Sequence, residues 1–184
     1  MTDTPHPASP LSGPLHIDTL RLQPAGRLAM THCPGRSTLD GRGRLWQRHL
    51  DEDIAAIHAA GFGSVLSLLS DPELAALGAA GLGTGLQRAG LHWWQFPIED
   101  FGVPGPESLQ AWRTLQHELL ARLRAGEGVL LHCAAGLGRT GTMAATLLKA
   151  LGDDGETAIA RVRQARPGTI ETAAQEAFVR TFEP

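Results

Sequence analysis

GVLLHCAAGLGRTG, residues 128–141, joins a strand, a loop and a helix start. GVLLHC (128–133) is a continuous apolar run, the pattern of a strand buried on both faces in the middle of a parallel sheet. AAGLG follows, and the pattern predicts a helix from Arg139 or Thr140 to Leu151. In this setting backbone N–H groups can converge on an anion, and the helix N-terminus adds partial positive charge. Gly136, Gly138 and Gly141 keep Cβ atoms out of a tight loop. Arg139 contributes a planar fork matched to two oxygens of a phosphate. A thiol at Cys133 falls in the floor of that cradle, where positive potential favours the thiolate. The stretch therefore reads as a nucleophile inside a loop of Ala134, Ala135, Gly136, Leu137, Gly138 and Arg139 that grips a tetrahedral dianion. Sulfur attacking phosphorus would form a phosphocysteine, hydrolysed later by water. Thr140 could donate its hydroxyl to the departing sulfur, cap the helix, or both. His132, one residue before the cysteine, reads as a hydrogen-bonded support for the loop. A Walker loop would need G-K-[ST], and here Arg139-Thr140 follows Gly138.

Working outward, LHIDTLRL (15–22) alternates as a half-buried strand does, and RLAMT (27–31) is a second strand across QPAG. CPGR (33–36) is a turn signal, with Cys33 a loop thiol or a redox partner of Cys133, and Arg36 a solvated turn residue or a contact for a second substrate anion. Apolar spacing predicts a helix over 45–60, stopped by Gly61. SVLSLLS (64–70) is a buried strand, and a helix opens at Asp71 with Pro72 in first position. A short helix ends the glycine-broken segment 78–90. LHWWQFPI (91–98) is a strand whose adjacent Trp93 and Trp94 face opposite sides. EDFGVPGP (99–106) has loop composition. A helix over 107–125 carries Leu109, Trp112, Leu115, Leu119 and Leu123 on one face. Helices over 154–166 and 171–182 close the chain, and Arg163 and Arg166 read as cations at a helix C-terminus. Strand and helix alternate through the later half, so the fold class is α/β: a single domain, residues 15–184, with a central, mostly parallel sheet flanked by helices on both faces.

Composition sets limits on function. The chain has 184 residues, 42% apolar and 19% charged, as a globular domain does. Sixteen basic residues oppose 19 acidic ones, and a net charge of -3 leaves no footprint for nucleic acid and no basic run for a membrane surface. Residues 1–14 read as a disordered leader rich in proline and serine, without the apolar stretch of an export signal. Two cysteines are too few for a disulfide scaffold, and with no export signal read at the start a reducing cytoplasm is expected. No C-x-x-C or H-E-x-x-H spacing occurs, so neither a metal site nor a cofactor is expected. The oligomeric state is left open.

Expelling an alkoxide or phenoxide from phosphate needs a general acid on an element that can close over the site. FPIEDFGVPG offers two, Glu99 and Asp100.

HC-x-x-G-x-GR-T, a C-x5-R loop, resembles the signature of the cysteine-dependent protein tyrosine phosphatases. PIEDFGVP fits P-I-x-D-x-x-x-P of the dual-specificity type, which implies that Asp100 is the acid. RPGTIETAAQEAF (166–178) resembles the segment that approaches the phosphate loop in small dual-specificity enzymes, and implies that Gln175 and Glu171 position the hydrolytic water. With LAMTHCPGRS (28–37) and the helix and strand after it, the likeness is greatest to the kinase-associated phosphatase (cyclin-dependent kinase inhibitor 3) family, over about residues 27–180. The resemblance implies a protein tyrosine phosphatase-like fold. It also implies hydrolysis of phosphotyrosine and phosphoserine or phosphothreonine, on a phosphorylated protein or a small phosphomonoester. The uncharged Ala134, Ala135 and Leu137 disfavour a highly phosphorylated inositol ring. Three alternatives stay open: an inositol phosphate phosphatase, an arsenate reductase or sulfurtransferase using the same loop, and a module that binds phosphoproteins without turnover.

Overall fold

The computed structural model describes residues 11–23 and 26–184. Among the described residues five strands form one sheet: β1 (Asp18–Arg21), β2 (Arg27–Thr31), β3 (Ser64–Ser67), β4 (His92–Gln95) and β5 (Gly128–His132), in the order β1-β2-β5-β3-β4. The apolar run at 128–132 explains the order. Every residue of β5 is buried, so it needs a partner strand on each edge and cover on each face. It pairs in parallel with β2 (Ala29 beside Leu130) and with β3 (Val65 beside Leu130). β4 extends the parallel set, and β1 is an antiparallel edge strand. The sheet is thus mixed, with one antiparallel edge.

Among the described residues seven helices wrap the sheet: α1 (Leu50–Ala59), α2 (Asp71–Ala76), α3 (Leu82–Arg88), α4 (Leu109–Arg124), α5 (Gly138–Ala150), α6 (Gly155–Ala165) and α7 (Ala173–Thr181). The two tryptophans of β4 show that both faces are covered. Trp93 lies against Gly83 of α3, while Trp94 donates to Glu118 of α4 at 3.1 Å and stacks under Arg122. α4 buries Trp112, Leu119 and Leu123, and Trp112 meets Phe96 with ring centroids 5.4 Å apart. α5, led by the loop at 133–137, touches α4, α6 and α7. Two helices start at full capping boxes, Ser70 with Glu73 on α2 and Thr172 with Gln175 on α7.

Two expectations change. The helix predicted over 45–60 begins only at Leu50. Residues 36–48 instead form a small hairpin: Trp46 N–H donates to Thr38 O and Arg48 N–H to Arg36 O, both at 3.1 Å. Asp40 closes its turn, accepting from the backbone N–H of Arg42 and Arg44. Local hydrogen bonding in the turn overrides the helical spacing of Leu45 and its neighbours. The leader expected over 1–14 lies mostly outside the described residues. Its last part is fastened to the body, since the carbonyls of Leu11 and Gly13 accept from Gln47 N–H (2.8 Å) and Arg48 Nη2 (3.1 Å). The QPAG connection includes residues 24–25, also outside the described set.

Candidate active site

The loop 133–138 sits where β5 ends and α5 begins. Its conformation follows from where its carbonyls go. Ala134 O accepts from Cys33 N–H and from Arg36 Nη1, both at 3.2 Å. Ala135 O accepts from Arg166 Nη2 at 2.9 Å and Gly136 O from Arg166 Nε at 2.7 Å. In a trans peptide the C=O of one residue and the N–H of the next point opposite ways. Three successive carbonyls drawn outward therefore turn the amides of Ala135, Gly136 and Leu137 inward. Gly136 N–H reaches Cys133 Sγ at 3.2 Å, so the concave side faces the sulfur. Gly136 has φ +72°, and a Cβ there would stand 2.2 Å from Thr31 O. Only glycine lets the loop pass this close to β2.

Arg139, in the first turn of α5, folds back over the loop. Nη1 donates to Glu73 Oε1 (2.6 Å) and Ile98 O (2.9 Å), and Nη2 to Asp100 Oδ1 (3.0 Å). Burial alone would lower its pKa, but the Glu73 hydrogen bond and the charges of Cys133, Glu73 and Asp100 raise it. Glu73 in turn is held below its ordinary range: burial works against this, but Ser70 N–H, Arg139 and the Ser70 hydroxyl outweigh it. Asp100 hangs from the loop after β4 with its side chain 65% exposed. Phe101 beside it has φ +57°, a strained conformation for a bulky residue, and is itself exposed.

His132 is buried and neutral. Ser67 Oγ lies 2.5 Å from its Nε2, Trp93 Nε1–H donates to the same hydroxyl at 2.9 Å, and Nδ1 lies 3.4 Å from Cys133 O. A ring protonated on Nδ1 satisfies all three contacts. Burial brings its pKa down to about 4; the Cys133 carbonyl opposes this, and the charge of Arg139 adds a smaller push downward. The support read from sequence is present, reaching across β3 to β4. The Thr140 hydroxyl is buried and has no hydrogen-bond partner among the described residues.

The tail segment meets the loop from the other side. A Cβ on Gly138 would lie 2.6 Å from Glu171 Oε2 and 3.0 Å from Gln175 Nε2, so both side chains border the loop. Gln175 is fully buried: its Oε1 accepts from Glu171 N–H, and its Nε2 donates to Gly102 O at 3.1 Å. It therefore ties α7 to the segment carrying Asp100. Glu171 is exposed and lines a cleft of about 420 Å³ with Cys133, Ala134, Ala135, Leu137, Arg139, Asp100 and hairpin residues including Arg36, Arg42, Arg44 and Trp46. Glu99 does not line this cleft.

Sequence reading missed two contributors, the loop contacts of Arg166 and the role of Glu73, and one of its two readings of Arg36 is corrected. Arg166 is not simply a cation at a helix end: it holds two loop carbonyls and pairs with Asp18 of β1 at 2.6 Å. Glu73 was legible as the fourth residue of a Ser-x-x-Glu cap, but not as a partner of Arg139. Arg36 is not solvated: it is 7% exposed, with its guanidinium 4.4 Å above the Trp46 ring. Cys33 is a free thiol in a loop, one of the two readings of the sequence, but it is buried, and burial pushes its pKa up to about 12.

A helix-wrapped sheet with an anion loop of this shape at the end of its central strand defines a dual-specificity protein tyrosine phosphatase-type domain. The chain belongs to the family described as Swiss Army Knife protein, DSP-PTPase phosphatase domain, whose model matches residues 45–179. It is 28% identical over 180 residues to cyclin-dependent kinase inhibitor 3 of Rattus norvegicus, covering 96% of this chain and 82% of that protein. It is 38% identical over 88 residues to receptor-type tyrosine-protein phosphatase H of Homo sapiens, and that match covers 44% of this chain and 8% of the relative. A match to protein tyrosine phosphatase domain-containing protein 1 of Mus musculus, 36% identical over 102 residues, covers 55% of this chain and 13% of that one. The chain therefore matches only a small part of these two longer relatives. Among solved structures, kinase associated phosphatase (KAP) with its catalytic-site cysteine replaced by serine superposes with TM-score 0.79 at 25% identity, covering 91% of this chain and 93% of that one. Tk-PTP in its active form superposes with TM-score 0.62 at 28% identity, over 85% and 94%. Among the described residues no helix is long and apolar enough to cross a membrane.

Proposed function

We propose that residues 15–184 hydrolyse phosphate monoesters of phosphoproteins, on tyrosine and on serine or threonine, through a phosphocysteine. The observation that carries this reading is the inward-facing amide set of 135–137, with Gly136 N–H on Cys133 Sγ and Arg139 beside it. The phosphoryl group enters the loop and takes the place of Asp100 on Arg139 Nη2. The Cys133 thiolate attacks phosphorus, the P–O ester bond breaks, and Asp100 gives its proton to the leaving oxygen. Water then attacks phosphorus and Asp100 takes its proton. The S–P bond breaks, the unpartnered Thr140 hydroxyl donates to the emerging thiolate, and inorganic phosphate leaves. Gln175 and Glu171 border the loop where that water must stand. Asp100 rather than Glu99 is the acid, because its carboxylate already reaches Arg139. Uncharged walls at Ala134, Ala135 and Leu137, with the exposed Phe101, suit varied leaving groups. A nucleophilic thiol that must stay reduced fits a cytoplasmic setting.

Turnover of phenyl phosphate, measured with a metal chelator present, tests the scheme. The wild-type chain is expected to release phosphate with a burst of phenol equal to the enzyme. Cys133→Ser is expected to lower turnover at least about 10³-fold. Activity that survives the substitution overturns the mechanism.

A further inference from the structure

Four arginines line the cleft, and they are not equivalent. Arg139 is paired with Glu73 and Asp100, and Arg44 with Asp40. Arg36 and Arg42 have no carboxylate partner among the described residues. The charge of Asp40 acts on Arg36, but its two oxygens already accept from Arg42 N–H, Arg44 N–H, Arg44 Nε and Trp46 Nε1. Arg36 keeps Nη1 on Ala134 O. Its Nε is buried without a partner, and its Nη2 makes no hydrogen bond among the described residues. Burial depresses its pKa, with the charge of Asp40 opposing. An enclosed guanidinium without a counter-ion is costly unless something else supplies the anion. Trp46 holds its plane, and the carbonyl it grips belongs to the residue after the nucleophile, so the charge is fixed close to the reacting phosphorus.

We propose that Arg36, with Arg42 at the rim, binds a second anionic group on the substrate. The preferred substrate is then a phosphomonoester that carries another phosphate or a carboxylate close to its scissile ester. This rests on the phosphatase reading for the identity of the first group. Its recognition chemistry, however, is separable from turnover.

The test is a binding comparison in the Cys133→Ser chain, by calorimetry, between phenyl phosphate and 3-carboxyphenyl phosphate. The carboxylated probe is expected to bind about tenfold tighter or more, as one hydrogen-bonded charge pair provides. In Cys133→Ser with Arg36→Gln the advantage is expected to vanish, and with Arg36→Lys to return in part. Comparing two ligands within one variant removes any general effect on the loop, and circular dichroism checks that each variant folds. A second arm uses phosphotyrosine peptides flanked by aspartate or by alanine. An aspartate advantage lost with Arg36→Gln makes the substrate a protein, while an advantage confined to the small probe makes it a compact ligand. Equal affinity for both small probes, or a difference that Arg36→Gln leaves unmoved, overturns the proposal. If the wild-type chain turns over neither small probe while the binding difference holds, the phosphatase reading falls and the second anion site stands.

Discussion

Arg166 carries three obligations at once: two carbonyls of the anion loop and the carboxylate of Asp18. A guanidinium can meet them because its N–H groups spread in a fixed plane, and the contacts are charge-assisted. Lysine has a single nitrogen and cannot span the same acceptors. Arg166→Lys is therefore expected to lower kcat/KM for phenyl phosphate about 10–100-fold, as one or two lost charge-assisted bonds would. The loss should appear in KM for phosphate-bearing ligands as well as in kcat, because the amides that receive the anion lose their orientation. Inhibition by inorganic phosphate should weaken in parallel, and unchanged inhibition would contradict the role. At this scale the sequence was partly legible. Cys133 and Arg139 announced themselves because their spacing along one loop is the chemistry. Arg166 and Glu73 did not, because each acts on a partner 30 or 66 residues away, and single-sequence patterns report only local neighbours.

The segment between β4 and α4 shows how elements share the work. It leaves the sheet at Phe96, whose N–H donates to Ser67 O, and presents Asp100 at the loop. Gln175 and Thr172 at the start of α7 hold it from beyond through Gly102 O and Phe101 O. Its acid should matter in proportion to how badly a leaving group needs a proton. Asp100→Asn is expected to slow phenyl phosphate turnover about 10²-fold or more, and to slow an aryl phosphate with a strongly acidic phenol far less. A uniform loss across both substrates would remove Asp100 from proton transfer. Periodicity located β5 and the long α4, where burial spans both faces or one clean stripe. It misjudged the start of α1, because the hairpin at 36–48 is set by hydrogen bonds to Asp40 and by Trp46 packing, and leaves no periodic trace.

Across the whole molecule, two buried histidines set the response to acid. Burial, followed by the charges of Arg48, Arg166 and Arg36, brings the His32 pKa down to about 3, and its Nε2 has no hydrogen-bond partner among the described residues. His132 stands at about 4. An unfolded chain titrates both near 6.5. Below that pH the unfolded state takes up protons that the folded state refuses, so stability is full above about pH 6.5 and falls as the pH drops toward 4. The loss should be on the order of a few kcal/mol, and urea midpoints measured at pH 7.5, 6 and 5 should decline in order. Midpoints independent of pH across that window would show the rings to be solvated.

The bond from Arg166 to Asp18 has a practical corollary for anyone trimming the gene. The family profile opens at Leu45, downstream of both β1 and β2. A product cut there would leave β5, the strand leading to Cys133, bare along one edge, and would take away Asp18 and the Thr31 carbonyl against which the loop is moulded. Such a truncation should come out of the cell as insoluble material. Starting upstream of residue 15 should restore a dispersed, active enzyme, which makes the working unit longer at its front than the family profile draws it.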